Sequence, residues 1–118
     1  MNKISLIIIS IVISSNVYGT STNYGGGLKA KTCYTTITIA NQNIKKGYYE
    51  LNNNNDNNAR IYLAKAREGL GVIIRGCRFV MDPNGYRNKE IDYKNVEIKL
   101  REIIERQEVK RKEALLPK

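Results

Sequence analysis

The chain opens with a short apolar run that is preceded by a single cation and followed by a segment that ends in small residues. Lys3 precedes the predominantly apolar stretch Ile4 to Ile13, and Val17 and Gly19 stand three residues and one residue before a candidate cleavage point. This order is typical of a secretory signal peptide. A membrane anchor is the alternative, but a helix needs about 20 apolar residues to cross a bilayer. Residues 1–19 are therefore predicted to be a cleaved signal peptide, which places the mature protein in the periplasm or outside the cell with no stable membrane span.

Export constrains both the size and the charge of what must fold. Cleavage after Gly19 leaves 99 residues, and Lys3 is the only charged residue removed from a chain of net charge +9. This length suits one small domain. A basic domain attracts acidic partners, so we expect an acidic protein, a glycan or an envelope polymer. Nucleic acid is not an expected partner outside the cytoplasm. The alternative is that the charge reflects the codon usage of an AT-rich genome.

The chain has two cysteines, Cys33 and Cys77, and no histidine. Compartments beyond the membrane oxidise thiols, so the pair is predicted to form a disulfide. The alternative is two free cysteines, one of them a nucleophile. The lack of histidine excludes Ser-His-Asp and Cys-His catalysis and histidine-containing zinc sites. We therefore expect no cofactor, metal or catalytic residue.

Alternating β-branched and aromatic residues predict three short strands. After a flexible polar arm at 20–28, the segment Lys29 to Ala40 alternates most clearly, and Gly47 to Leu51 follows as a second strand. Val72 to Val80 is the third. The first and third strands carry the cysteines, so the disulfide is expected to join two strands across the core.

Turn-forming residues divide these segments. Asn52 to Asn58 is predicted to be an exposed loop in which one of the last two asparagines caps a helix. Ala59 to Glu68 favours a short helix that Gly69 ends. Asp82 to Gly85 has strong turn chemistry and is predicted to end the third strand.

The last part of the chain predicts a long basic helix from about Asp92 to Glu113. Acids precede bases by four residues, the favourable helical order, at Glu90 and Lys94, Glu97 and Arg101, Glu102 and Arg106, and Glu108 and Lys112. Residues 92–118 are predicted to form this helix and a solvated basic tail. Its apolar face is a candidate docking stripe for a partner: Tyr93, Val96, Leu100, Ile103 and Ile104. The alternative is that this stripe packs on the protein's own sheet.

Lysine and arginine residues are concentrated in the C-terminal tail and in the part of the sequence that contains the predicted short helix and Cys77. They are candidates for binding an anionic partner: Arg60, Lys65, Arg67, Arg75, Arg78, Arg101, Arg106, Lys110, Arg111 and Lys112.

Within the chain, spaced alanines lead through a glycine into a Val-x-Ile run and a cysteine. The positions are Ala64, Ala66, Gly69, Val72, Ile74 and Cys77. Over Thr32 to Val80 this order resembles the receptor-binding B subunits of secreted bacterial toxins of the subtilase-cytotoxin and typhoid-toxin type. The resemblance implies a small OB-like barrel with a disulfide, and a binding role. The chain departs from that family in having no tryptophan and in its long charged C-terminal helix.

These observations predict an α+β body over residues 29–91, built as a small antiparallel sheet or OB-like partial barrel with one short helix, one disulfide and a long basic C-terminal helix. The predicted function is that of a small exported, non-enzymatic binding or assembly protein in a secretion, conjugation or virulence-associated complex. Oligomerisation is left open. The alternative is a small secreted hydrolase or toxin subunit that uses carboxylate and arginine chemistry.

Overall fold

The computed structural model describes residues 27–117, and within this range the chain is helical and contains no strand. Its elements are α1 (Ala30–Asn52), α2 (Asp56–Gly76), a short 3-10 turn (Arg78–Val80) and α3 (Pro83–Ala114). The predicted α+β body with a sheet or an OB-like partial barrel is therefore wrong. The predicted signal peptide and most of the predicted flexible arm lie outside the described residues.

Helices α1 and α2 form an antiparallel hairpin. Gly69 of α2 faces Ala40 of α1, and nearer the connection Gly47 of α1 faces Leu63 of α2. A Cβ atom added to Gly47 would lie 2.5 Å from Leu63 Cδ2, so the absence of a side chain at residue 47 sets how closely the two helices approach.

Helix α3 returns along the hairpin and runs antiparallel to α2. The Tyr86 hydroxyl near its start donates a 2.7 Å hydrogen bond to the carbonyl of Ile74 at the end of α2. Lys89 Nζ donates at 2.6 Å to Asn41 Oδ1 of α1, so α3 also contacts the first helix. The result is a three-helix bundle with α2 at its centre.

The core follows helical rather than strand periodicity. The buried side chains of α2 and of its cap Cys77 recur in alternating steps of four and three: Ala59, Leu63, Ala66, Leu70, Ile73 and Cys77. Buried residues on α3 keep the same steps: Val96, Leu100 and Ile103. Such spacing places the side chains along one face of a helix, as in the seam of a helical bundle.

Helix α1 contains the segment that was predicted to be the best strand. Its threonines are accommodated because their hydroxyls donate to backbone carbonyls one turn earlier, from Thr35 at 3.0 Å, Thr36 at 2.7 Å and Thr38 at 3.0 Å. The alternating pattern does not match burial, since Ile39 is half exposed whereas Thr36 is buried. The predictions of strands at Lys29–Ala40, Gly47–Leu51 and Val72–Val80 are all wrong.

The asparagine run supplies a tight connection between α1 and α2. Only residues 53–55 lie between the two helices. Asn54 has a φ of 59°, a left-handed conformation that asparagine tolerates better than most residues. The Asn55 side chain accepts a 3.3 Å hydrogen bond from the backbone N–H of Asn58 and caps α2, three or two residues before the predicted cap.

Two other turn signals have a different role from the one predicted. Gly69 does not end a helix, because α2 continues past it to Gly76. Asp82 and Pro83 begin α3 rather than end a strand: the Asp82 carboxylate accepts hydrogen bonds from the backbone N–H groups of Asn84 (3.1 Å) and Gly85 (3.2 Å). An acidic cap followed by proline is a favourable start for a helix. The predicted C-terminal helix is present and begins at Pro83 instead of Asp92.

The predicted disulfide between Cys33 and Cys77 is confirmed. The two Cα atoms lie 5.8 Å apart, and both side chains are fully buried. The bridge links the first turn of α1 to the residue that caps the end of α2, not two strands. Beside it, the N–H of Leu28 donates a 2.7 Å hydrogen bond to the carbonyl of Gly76, which holds the entry to α1 against the end of α2.

Candidate binding surface

The candidate docking stripe of α3 faces the inside of the bundle. Val96, Leu100 and Ile103 are almost completely buried, and Tyr93 packs against the same core. Ile104 is 41% exposed. The three buried side chains are enclosed by the protein's own helices, in the place where a sheet was expected, and are therefore inaccessible to a partner.

The candidate anion-binding cations do not converge on one site. Arg60, Arg106, Lys110 and Arg111 lie near the asparagine connection, whereas Arg75 and Arg78 lie near the disulfide. Lys65 and Arg67 lie along α2, and Arg101 and Lys112 lie along α3. Any single ligand of ordinary size can therefore contact only some of them.

Several of these cations bind side chains of the protein itself. Arg106 donates two hydrogen bonds to the Asp56 carboxylate, at 3.0 and 3.2 Å, and Arg60 donates to Gln107 Oε1 at 2.9 Å. Arg111 pairs with Glu108 one turn earlier on α3. These contacts fix the second half of α3 against the start of α2 and leave the Arg106 guanidinium committed to an internal partner.

The ion pairs observed within α3 differ from the charge pairs on which the helix was predicted. Among the described residues the ion pairs within α3 have a spacing of three: Lys89 with Asp92, Lys99 with Glu102, and Glu108 with Arg111. The acid-first pairs four residues apart are not within ion-pair distance in this range. Lys94, Arg101 and Lys112 therefore form no ion pair among residues 27–117, although the charge of Lys112 contributes to lowering the pKa of Glu108.

The disulfide end of the bundle exposes the chain's only phenylalanine. Phe79, in the 3-10 turn after Cys77, is 80% exposed. It lines an open cleft of about 520 Å³ together with Arg78, Arg87 and Glu90. A single exposed apolar side chain is common on protein surfaces, so Phe79 by itself defines no binding site.

A surface that the sequence reasoning missed runs along the outer side of α3. Ile91, Ile98 and Val109 are 46–54% exposed and, at 100° per residue, fall within about 20° of one line on the helix. Exposed cations follow this line on one flank. We call this surface the outer stripe and define it as Arg87, Ile91, Lys94, Ile98, Arg101, Glu105, Val109 and Lys112. Its steps of four and three are a signal that was readable in the sequence.

The outer stripe lies away from the core. Val96 is five residues after Ile91, about 140° further around the helix, and Leu100 and Ile103 are similarly displaced from Ile98 and Val109. None of the four cations of the stripe is within ion-pair distance of a carboxylate in the described range. The stripe therefore offers apolar side chains beside exposed cations that form no ion pair within residues 27–117, with Glu90, Glu97 and Glu108 one turn before Lys94, Arg101 and Lys112.

The carboxylates near the asparagine connection are paired with cations. Asp56 and Glu102 line one cleft of about 390 Å³, but Asp56 is bound by Arg106 and Glu102 lies 3.2 Å from Lys99 Nζ. The hydrogen bond from Arg106 holds the pKa of Asp56 below its ordinary value. A general acid needs the opposite shift, towards a raised pKa.

Two other shifts have local causes. The hydrogen bond from Arg111 lowers the pKa of Glu108 on the exposed end of α3. Burial raises the pKa of the Tyr48 phenol on α1. Residues 27–117 contain no cluster of acidic or cysteine side chains arranged to hold a metal ion. No helix in the described range has the length and apolar character needed to cross a membrane.

The chain matches no protein-family model, and no curated protein and no solved structure shows significant similarity to it. The comparisons therefore do not test the resemblance to toxin B subunits. The positions that carried it, from Ala64 to Cys77, lie on α2 and its cap rather than on a helix that leads into a strand. The barrel that the resemblance implied is not the fold of the described residues.

Proposed function

We propose that this protein is a small exported, disulfide-linked binding or assembly module without enzymatic activity, and that its partner is acidic. The observation that carries the proposal is the row of exposed apolar side chains Ile91, Ile98 and Val109 on the outer side of α3, in a chain of net charge +9. Isolated apolar side chains on a surface need no explanation, but a row of them bordered by charged side chains suits a protein interface.

Support for export comes from two features of the chain. The first nineteen residues have the pattern of a secretory leader, and the fully buried Cys33–Cys77 disulfide suits an oxidising compartment. The proposed setting is a secretion, conjugation or virulence-associated complex of the cell envelope, because a helical bundle with an exposed apolar row is suited to contact other proteins.

No observation favours the alternative of a secreted hydrolase or toxin subunit. The two acids that share a cleft, Asp56 and Glu102, are each paired with a cation. A pair of catalytic carboxylates requires one member with a raised pKa, and the pKa of Asp56 is lowered. We therefore propose the binding function alone.

Gel filtration of native cell fractions tests this proposal. Periplasm and culture medium are separated at about 50 mM and about 500 mM salt, and the protein is detected by antibody and by mass spectrometry of its N-terminus. We expect a chain that begins at Thr20 and elutes in a complex larger than the purified monomer, with partial dissociation at high salt. A protein that retains Met1 and stays in the cytoplasm, or one that elutes as a monomer at both salt concentrations, would contradict the proposal.

A further inference from the structure

Asn84 and Gly85, at the start of α3, form the one Asn-Gly pair of the sequence, and every other asparagine precedes a residue that has a side chain. The side-chain amide of an asparagine can be attacked by the backbone nitrogen of the residue that follows it. Glycine leaves that nitrogen least hindered because it has no Cβ atom. The pair is therefore the position at which this chain is chemically most prone to lose a side-chain amide.

The structure leaves Asn84 open to water. The residue is exposed and lines the cleft of about 520 Å³ that also contains Arg78 and Arg87. A Cβ atom placed on Gly85 would meet nothing closer than Met81 Cε at 3.9 Å. Side-chain packing among the described residues therefore does not shield this pair.

The Asp82 cap holds the attacking nitrogen instead. The backbone N–H of Gly85 donates a 3.2 Å hydrogen bond to Asp82 Oδ2, and the N–H of Asn84 donates to the same oxygen at 3.1 Å. The N–H of Tyr86 donates at 2.9 Å to the Asp82 carbonyl and closes the first turn. The Gly85 nitrogen must lose its proton to attack, and a carboxylate that accepts this proton in a hydrogen bond opposes the loss. The closed turn also fixes the backbone torsions that must rotate for the attack.

We infer that Asn84 is a site of spontaneous modification by water, and that the Asp82 cap controls its rate. When the first turn of α3 opens, the Gly85 nitrogen bonds to Asn84 Cγ and the bond from Cγ to Nδ2 breaks. The side-chain amide leaves as ammonia, which carries the proton of the Gly85 N–H. Water then opens the cyclic imide: cleavage of the new bond to Cγ gives aspartate, and cleavage at the main-chain carbonyl gives isoaspartate. While the turn is closed, the reaction depends on local opening of the helix end.

Either product changes the disulfide end of the bundle. Both products add a negative charge to a cleft that contains Arg78, Arg87 and Glu90. Isoaspartate also inserts a carbon atom into the main chain before Tyr86, whose hydroxyl donates at 2.7 Å to the Ile74 carbonyl. The modification therefore alters the charge of the cleft and, as isoaspartate, a contact that holds α3 against the end of α2. The inference does not rest on the proposed function.

Mass spectrometry of the mature, disulfide-linked protein tests the inference. Trypsin cleaves after Arg78 and Arg87, so Asn84 is the one asparagine of the peptide Phe79–Arg87. Conversion to either acid raises the mass of this peptide by one dalton, and chromatography separates aspartate from isoaspartate. The protein is incubated at mildly alkaline pH, either folded in buffer or unfolded in urea. We expect both acids to form, and to form at least about tenfold more slowly in the folded protein.

Variants separate the effect of the cap from the chemistry of the pair. Asp82→Ala removes the cap and should raise the rate in the folded protein about fivefold or more, while the rate in urea changes by less than about twofold. Glu90→Gln removes a carboxylate from the same cleft but leaves the cap, and should change both rates by less than about twofold. Gly85→Ala should slow conversion in both states because its methyl group hinders the nitrogen. Thermal unfolding verifies that each variant is folded, and the comparison of folded with unfolded wild type needs no variant.

Four results would overturn the inference. The first is an equal rate in the folded and the unfolded wild type. The second is a folded Asp82→Ala variant that reacts no faster than the wild type, or a Glu90→Gln variant that reacts as fast as Asp82→Ala. The third is the absence of conversion at Asn84 in the unfolded wild type. The fourth is formation of aspartate without isoaspartate, which would indicate direct hydrolysis of the side-chain amide.

Discussion

The guanidinium of Arg106 holds the carboxylate of Asp56 by two hydrogen bonds, Nη2 to Oδ1 at 3.0 Å and Nε to Oδ2 at 3.2 Å. The pair joins the second half of α3 to the first turn of α2, with the side chain of Asp56 only 16% exposed. A two-point contact of this kind fixes orientation as well as distance. It therefore determines how the last turns of α3 lie on the bundle.

Asp56→Asn should lower the free energy of unfolding at pH 7 by about 0.5–1 kcal/mol, the upper range for ion pairs near a surface. The pKa of Asp56 is lowered in the folded protein, so its contribution is present above the unfolded value of about 4 and is lost as pH falls through the lower folded value. Urea denaturation of the two proteins from pH 7 to pH 2 measures this.

Glu108→Gln is the control for the Asp56 variant, because its partner Arg111 lies on the same helix and both are exposed. We expect a smaller effect on unfolding than that of Asp56→Asn. Equal effects of the two variants, or an Asp56→Asn variant whose stability differs from the wild type by the same amount at every pH, would contradict the role given to Asp56.

Truncation of a side chain should lower the free energy of unfolding much more on the inner face of α3 than on its outer face. Leu100→Ala removes a buried side chain from the core and should cost about 2–5 kcal/mol of unfolding free energy. Ile98→Ala, two residues earlier on the outer stripe, should change it by no more than about 0.5 kcal/mol. Denaturant unfolding of both variants measures the difference, and a costly Ile98→Ala would mean that the stripe is covered within the monomer.

Gly47→Ala should destabilise the protein although alanine is a better helix former. The new Cβ would lie 2.5 Å from Leu63 Cδ2 in the buried contact of α1 and α2, and overpacking of this kind costs about 1–3 kcal/mol. Gly85→Ala, in the first turns of α3, meets no atom closer than 3.9 Å and should stabilise by about 0.4–1 kcal/mol. Urea denaturation shows whether each variant lowers or raises the free energy of unfolding. Stabilisation by Gly47→Ala would refute this helix contact.

Loss of the disulfide should weaken the bundle without changing its fold. The double variant Cys33→Ala and Cys77→Ala opens a loop of 44 residues and should lose about 4 kcal/mol of stability. Calorimetry measures the loss, and a reducing agent should lower the stability of the wild type while leaving the variant unchanged. Wild-type protein that reacts with thiol reagents when unfolded without reductant would contradict the disulfide.

The sequence contained enough to predict α3 and the disulfide, because both depend on signals that tertiary packing does not reverse. Charge spacing indicated a helix near Asp92, although the ion pairs used in that argument are not those that form. The bridge from Cys33 to Cys77 was predicted because the chain is expected to be exported and has an even number of cysteines. Neither inference required knowledge of neighbouring elements.

The first helix was missed, and the second was predicted only from Ala59 to Glu68, because local preference was given more weight than burial pattern. The β-branched run from Thr35 to Ile39 favours a strand, but in the bundle its hydroxyls bind the helix backbone. The steps of four and three from Ala59 to Cys77 were the better signal for α2. Gly69 was interpreted as a helix end because nothing in the sequence indicates that Ala40 lies against it.

The sequence also did not show which apolar row of α3 is buried. A helix that packs on a bundle can carry two apolar rows, and the sequence does not state which one faces inward. Val96, Leu100 and Ile103 form the denser row and are buried, while Ile98 belongs to the row that stays exposed. Only the packing of α3 on α2 distinguishes the two.

Site-specific photocrosslinking in the native cells tests the central claim most directly, namely that the outer stripe of α3 is the surface through which the exported bundle binds its partner. A photoreactive residue replaces Lys94 on the stripe or, as the control, Lys45 on α1; both positions are exposed. We predict a protein adduct from position 94 that disappears when Ile98→Asp is added, and none from position 45. Adducts of equal yield at both positions, or none at position 94, would contradict the claim.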